Sequence, residues 1–324
     1  MTILVTGAFG CIGSWVAREL LASGEDPVLY DIGEDPWRLR MIVGPDALGG
    51  LTLIRGDIAD RTRLSRVVAE YGITRVIHLA AWQIPLCRQD PSGGAAVNVV
   101  GTVNVFEAAR AHRGQIEQVV YASSAAVFGP PQLYPPGPLP DEAPPRPATH
   151  YGVYKVANEE TARVYWEEYG IPSVGLRPLT VYGPGRDFGV TADPTLAMKA
   201  AVLRRPFRIR WGGTTDFQYT RDVAAASIAA MRATLDGARV FNLHGESAAV
   251  SQVVAWIEEA CPQARGLISA LDTPLPLPAA LDDGGLQRAV GPLAMTPLRE
   301  GIRRTVEEFT RLKEVERLDT RELH

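Results

Sequence analysis

Short apolar runs alternate with amphipathic stretches along the first half of the chain. "TILVTG" (2–7), "PVLYD" (27–31), "LTLIRGD" (51–57), "RVIHLAA" (75–81), "IEQVVYASS" (116–124) and "SVGLRP" (173–178) read as strands. "VIHLAA" is apolar on both alternating faces, which suits a strand covered on both sides. Between them, apolar positions recur at helical spacing in 11–24, 60–72, roughly 94–112 and from about 149. Asp60 stands where a helix N-cap is expected. Strands alternating with helices predict a parallel sheet with helices on both faces.

The pattern breaks twice. Residues 130–147 hold nine prolines in eighteen positions, which excludes a helix or a central strand. The α/β alternation resumes directly afterwards, so this segment is expected to be a loop within a domain rather than a linker between two. Beyond 180, a glycine-rich loop (181–195) precedes helices near 195–204, 222–236, 249–260 and 297–313, with short strands between. This part reads as a smaller α/β lobe, partly interleaved with the first.

Composition adds exclusions. The chain is 46% hydrophobic and 22% charged, as soluble globular proteins are, and its formal net charge of -4 gives no nucleic-acid surface. Its apolar runs fall short of the ~18 residues a membrane span needs. The N-terminus enters a strand pattern without a basic region, so no signal peptide is expected. Cys11, Cys87 and Cys261 are far apart, without metal-ligand spacing. A reducing compartment, the cytoplasm, is expected, with no metal.

The first strand runs into "GAFGCIG" (7–13) and then into a helix. Gly7 and Gly10 let a pyrophosphate approach the backbone, and Gly13 lets helix and sheet pack closely. The helix N-terminus then offers N–H groups to phosphate. Phe9, Cys11 and Ile12 lie in the same loop. Asp31 ends the second strand, where a carboxylate accepts from both ribose hydroxyls of NAD and repels the 2′-phosphate of NADP. Arg38 and Arg40 follow, and an arginine there could accommodate that phosphate; NAD stays ahead. Asp57 could accept from the adenine amino group with Ile58 against the ring, or simply begin a turn. The expected fold is thus Rossmann-type: a doubly wound parallel sheet over 1–178 binding NAD, and a smaller C-terminal α/β substrate lobe over 179–324.

"THYGVYKVANEE" (149–160) opens a helix with two tyrosines and one lysine. Positions i and i+4 share a helix face, so Tyr151 can point with Lys155 into one site, whereas Tyr154 is rotated about a quarter turn away. A free tyrosine titrates near pH ~10, and a neighbouring ammonium favours its phenolate. Beside NAD the pair forms an acid/base device for alcohol-to-ketone chemistry. Ser123 and Ser124 end a strand at the carboxyl edge of the sheet, where open α/β sheets bind ligands.

Taken in order, "GAFGCIG", Asp31, "HLAA" (78–81), Asn98 in "NVVGT", "SSAAVFG" (123–129), Tyr151-x-x-x-Lys155, "RPLTVYGPG" (177–185) and "FQYTRDVA" (217–224) resemble the extended short-chain dehydrogenases/reductases. More narrowly, the chain is similar to the NAD-dependent epimerase/dehydratase group over roughly 2–315. The resemblance implies that Tyr151 is the general acid/base, that Lys155 holds the nicotinamide ribose and lowers the tyrosine pKa, and that Ser124 is the catalytic serine, with Ser123 the fallback. It implies that Leu79, Ala80, Ala81 and Pro178 line the cofactor, with Asn98 near its ribose side. It also implies a homodimer through the helices near 94–112 and 150–169.

Two positions depart from that pattern. Thr180 stands where many sugar-nucleotide enzymes of the group carry asparagine, and Thr215 where they often carry a diphosphate-binding arginine. Arg186, Arg208 and Arg210 could compensate. Arg186, in "GPGRDFGVTADPT", could bind a carboxylate or hydroxyls, or tie the loop to the lobe. Trp82 and Gln83 are expected above the site, Trp82 either stacking on a sugar or plugging the core. His78 is expected in the core, His150 beside a helix cap, His244 near a strand end that could line the pocket, and Asp222 as a helix cap. The leading expectation is NAD-dependent oxidoreduction at a secondary alcohol of a sugar or sugar-like polyol, a small-molecule substrate, ending as dehydrogenase or epimerase. A nucleotide-sugar 4-epimerase is the alternative, and a non-catalytic dinucleotide-binding regulator a minor one.

Overall fold

The computed structural model describes residues 1–323. Its strands are β1 (Ile3–Thr6), β2 (Val28–Asp31), β3 (Thr52–Arg55), β4 (Arg75–His78), β5 (Gln118–Ala122), β6 (Ser173–Arg177), β7 (Thr180–Tyr182), β8 (Phe207–Ile209), β9 (Thr214–Tyr219), β10 (Ala238–Asn242), β11 (Glu246–Ala249) and β12 (Ile268–Ala270). Seven of them form one sheet in the order β10-β6-β5-β4-β1-β2-β3, with parallel pairing throughout. The order reverses direction beside β1, which creates the crevice where ligands of such sheets bind.

The helices are α1 (Cys11–Ala22), α2 (Trp37–Val43), α3 (Pro45–Leu48), α4 (Arg61–Glu70), α5 (Ile84–Gln89), α6 (Pro91–Ala95), α7 (Gly101–Ala111), α8 (His150–Tyr169), α9 (Asp193–Val202), α10 (Thr220–Arg232), α11 (Val250–Ala260), α12 (Gly284–Val290) and α13 (Leu298–Glu314). Alternate residues of each strand feed opposite faces. Val5, Leu29 and Ile77 pack with Val16 and Leu20 of α1 and Ile228 and Met231 of α10. Leu4, Val28 and Val76 pack on the other face with Leu64 and Val67 of α4 and Val105 and Phe106 of α7. Each such aliphatic side chain stabilises the fold by about 1.5–3 kcal/mol when fully buried. No helix among the described residues is long and apolar enough to cross a membrane.

Elements after residue 178 serve both parts of the molecule. β7, β9 and β11 form a three-stranded sheet and β8 pairs with β12. With α9, α11 and α13 they enclose a second core around Met198, Trp211, Phe217, Ile257 and Phe309. The chain returns to the large sheet at α10 and β10.

Several expectations need correction. The helix read at 94–112 begins at Pro91, where Asp90 accepts from Gly93 N, and it widens into a π turn over Ala96–Val100. Such a turn inserts a residue into the helical ladder and re-aims side chains. Helices α2 and α3 were not anticipated, because Pro36, Gly44 and Pro45 cut them too short to show a periodicity. Asp222 does not cap α10: its carboxylate lies in the first turn and accepts from Thr296 N (2.6 Å) and Thr296 Oγ1 (2.9 Å). The proline-rich segment is packed into the molecule as expected. Leu139 is buried, donates to Ala280 O (3.1 Å) and accepts from Asp282 N (2.8 Å) and Asn242 Nδ2 (2.9 Å).

Candidate active site

The glycine loop joins β1 to α1 in direct contact with the end of β4. Gly7 has φ +68, and a Cβ there would lie 2.5 Å from Ala80 N and 2.7 Å from Leu79 C. At Gly13 a Cβ would run into Gly7 O. Only glycine allows both approaches. Gly10 precedes α1 without a side-chain cap, so the first-turn N–H groups stay available. Asp31 closes the loop from the far side: Oδ2 accepts from Phe9 N (2.9 Å) and Oδ1 from Gly33 N (2.9 Å).

These groups border a cavity of about 430 Å³, lined also by Asp57, Ile58, Leu79, Ala80, Ala81 and Trp82. Its walls fit a dinucleotide. Backbone N–H groups and a helix start sit at one end, and the Asp31 carboxylate stands at the end of β2. Both nearby arginines are already paired with carboxylates. Arg38 is held by Asp187 through Nε (2.7 Å) and Nη2 (2.6 Å), and Arg40 by Asp35 (2.9 Å).

A second cavity of about 200 Å³ adjoins the first and shares Gly7, Gly10, Cys11, Leu79, Ala81, Gln83 and Arg186 with it. Ile12, Gly13, Ser123, Ser124, Tyr151, Lys155 and Pro178 are among its other walls. Tyr151 and Lys155 reach it from α8, which starts at the Thr149 cap, whose Oγ1 accepts from Gly152 N (3.0 Å). The inward positions of α8 are Gly152, Lys155, Asn158, Glu159 and Ala162. A buried helix face this polar is placed for chemistry rather than for apolar packing.

Lys155 Nζ donates to Ala122 O (2.6 Å) and lies 5.4 Å from the Tyr151 ring centre. Burial brings its pKa down to about 8. Burial also pushes the Tyr151 phenol up, opposed by a hydrogen bond with Ser124 and the positive charge of Arg186. The lowering expected from Lys155 comes instead from Ser124 and Arg186, and desolvation of the phenolate outweighs both. Tyr154 turns away and donates to Pro91 O (2.7 Å). The two serines divide the work. Ser123 is buried and spends its hydroxyl on Glu159, which also accepts two bonds from Arg177, Nε at 2.8 Å and Nη2 at 2.7 Å. Ser124 Oγ accepts from Ala126 N (3.1 Å) and faces the cavity.

Two expected contacts lie behind the wall instead. Asn98, in the π turn, is 1% exposed. Its amide bonds Trp82 N and Trp82 O (both 3.1 Å), so it sets the loop after β4 rather than touching a ribose. Thr180 is wholly buried, and its hydroxyl pairs with Thr215 (3.0 Å) across β7 and β9. The neighbours Leu179 and Val181 line the cavity in its place. Trp82 borders the cofactor side, and Gln83 borders both cavities. His78 is a core residue between Thr6 Oγ1 (2.7 Å) and Thr102 Oγ1 (3.1 Å), its pKa lowered by burial to about 3. His150 starts α8, and His244 pairs with Asp216 away from the cleft. Sequence reasoning missed the Glu159–Arg177 pair. Its signals were an arginine inside an apolar strand and a glutamate four residues after Lys155.

The model of the NAD dependent epimerase/dehydratase family matches residues 3–243. The chain belongs to this family. A UDP-glucose 4-epimerase of Mycolicibacterium smegmatis is 32% identical, over 95% of this chain and 98% of that protein. The UDP-glucose 4-epimerase of Thermus thermophilus, solved in complex with NAD, superposes with a TM-score of 0.80 at 29% identity, covering 95% and 99% of the two chains. A partial-consensus L-threonine 3-dehydrogenase gives a TM-score of 0.83 at 26% identity, covering 96% and 100%. The Rossmann-type fold, the NAD cofactor and enzymatic character are those of the epimerase/dehydratase family.

In this family member Asp31 is the residue expected to set the cofactor choice. Asp31→Asn keeps the shape but loses the charge that would accept from ribose hydroxyls. Charge-assisted hydrogen bonds contribute about 1.5–3 kcal/mol, so NAD affinity should fall about 10- to 100-fold and the gap to NADP should narrow. Fluorescence titration with both dinucleotides checks this; an unchanged ratio of affinities would count against Asp31 as the ribose acceptor.

Proposed function

We propose that this enzyme oxidises a secondary alcohol of a carbohydrate-like substrate held between Ser124 and Tyr151. The observation that carries the reading is the convergence of Tyr151, Lys155 and Ser124 on the cavity that continues the cofactor cleft. Tyr151 Oη accepts the hydroxyl proton, acting as general base. Ser124 donates to the same substrate oxygen and fixes its distance from Tyr151. The Lys155 ammonium, held by Ala122 O beside the ring, favours the phenolate as the proton arrives and leaves. NAD, when bound, supplies the hydride acceptor. If the product departs oxidised, the enzyme is a dehydrogenase; if it is reduced again on its other face, the enzyme is an epimerase.

A nucleotide-sugar 4-epimerase is the second reading, supported by the UDP-glucose 4-epimerase relatives. A further cavity of about 770 Å³, bordered by Phe188, Trp211 and Leu275, has room for a nucleoside. A homodimer through α7 and α8 accompanies either reading. Val100 beside α7, and Val153 and Val164 on α8, leave 47%, 49% and 37% of their surface exposed. All three cysteines are free, in keeping with a reducing, cytoplasmic setting.

Turnover tests the reading. Free sugars, sugar acids and UDP-sugars are incubated with enzyme and NAD, following reduced nicotinamide by absorbance and product stereochemistry by NMR. At least one class should be oxidised or inverted. Inertness toward every class would contradict it.

A further inference from the structure

The charges around the cleft are not evenly neutralised. Arg38 is paired with Asp187, which is 6% exposed, and Arg210 with the fully buried Asp193. Among the described residues Arg186 has no such partner. Its Nη1 donates to Gln83 Oε1 (3.0 Å) and its Nη2 to Thr191 Oγ1 (3.0 Å), both neutral. Its Nε is buried without a partner among those residues. A guanidinium carries five N–H donors. Two are used here, which leaves Nε–H and one hydrogen on each Nη.

Arg186 borders both the cofactor cavity and the catalytic one. Among the described residues, the catalytic cavity is lined by two cations, Arg186 and Lys155, and by no aspartate or glutamate. Such walls favour an anion, and a guanidinium bonded only to two neutral oxygens keeps one N–H on each Nη for the two oxygens of a carboxylate. We propose that Arg186 binds a carboxylate of the substrate, so that the enzyme's preferred substrate is a small hydroxy acid of the sugar-acid class rather than a nucleoside diphosphate sugar. The proposal rests on the reading of the catalytic cleft given above.

The space beyond the Arg186 loop supports the same choice. That larger cavity is bordered by Arg38, Arg210, Asp187 and Glu322. Both arginines there are committed to buried carboxylates, and Glu322 is bonded to Lys199 (3.0 Å). A diphosphate there would meet guanidiniums whose charge buried aspartates already neutralise. A carboxylate at Arg186 displaces no existing ion pair.

The test is calorimetric titration of the Tyr151→Phe protein loaded with NAD, using gluconate, galactonate, their neutral alditols, and UDP as probes. At least one acid should bind about 10-fold or more tightly than its neutral counterpart. Arg186→Gln should erase that difference with NAD affinity unchanged, and Arg186→Lys should recover part of it. Equal binding of acid and alditol, binding of neither, or UDP binding tighter than both acids would overturn the proposal. So would an equal loss of NAD affinity in Arg186→Gln, which would place Arg186 on the cofactor pyrophosphate. The two readings fail separately. Turnover of neutral sugars or UDP-sugars unaffected by Arg186→Gln removes the proposal and keeps the catalytic cleft. Arg186-dependent acid binding with full turnover by Tyr151→Phe does the reverse.

Discussion

Tyr151→Phe should lower turnover by about 10²- to 10⁴-fold, the range that a positioned acid/base group contributes. The change removes one oxygen and keeps the ring against Lys155, so the fold and the cofactor cleft persist. NAD affinity should stay within a few-fold of wild type, because the Tyr151 ring borders the catalytic cavity and not the larger cofactor cavity. Tyr154→Phe is the matched control. It loses only a bond to Pro91 O, outside the cleft, and should retain turnover. Steady-state rates and NAD titrations on the two variants check the assignment. Wild-type turnover in Tyr151→Phe would remove the proposed base.

Arg177→Met should destabilise the protein by about 3–5 kcal/mol, the cost of leaving one partner of a buried ion pair alone. Arg177 and Glu159 side chains are 6% and 8% exposed, so water cannot replace the lost guanidinium. The same arginine donates to Asp141 O (2.7 Å) and lies 5.0 Å from the centre of the Phe128 ring. Its loss should therefore loosen the proline-rich loop as well as α8. The unpaired Glu159 keeps only the Ser123 hydroxyl, next to Ser124 in the proposed catalytic cleft. Glu159→Gln added to Arg177→Met should recover part of the loss, since the buried charge disappears. Urea unfolding of single and double variants reads this directly. A loss below about 1 kcal/mol, typical of exposed pairs, would mean that the pair is solvated in solution.

Much of the site could be read from the chain because its geometry is local. The glycine loop, Asp31 and the i,i+4 relation of Tyr151 and Lys155 each depend on one strand end or one helix turn, and spacing alone separated Tyr151 from Tyr154. What was misread depends on contacts between distant segments. Thr180 was placed against substrate because it sits in a recognisable motif; its hydrogen bond to Thr215 exists only because β7 pairs with β9. Asn98 was expected at the cofactor because its motif is, but a π turn re-aims its amide onto Trp82. Arg38 and Arg210 were candidates for phosphate until Asp187 and Asp193 folded against them. Arg186 kept its ambiguity in the sequence for the same reason. Whether an arginine is free depends on what else reaches it.

The central claim is that the Tyr151–Lys155–Ser124 cleft carries hydride transfer at a secondary carbinol carbon. Deuterium at that carbon of a substrate tests it most directly, with the label followed by NMR during turnover in ordinary water. The account predicts that the label appears on the recovered nicotinamide ring or stays at the same carbon after inversion, and that Tyr151→Phe slows both outcomes. Loss of the label to solvent at the rate of turnover would contradict it, because the C–H bond would then break by proton abstraction.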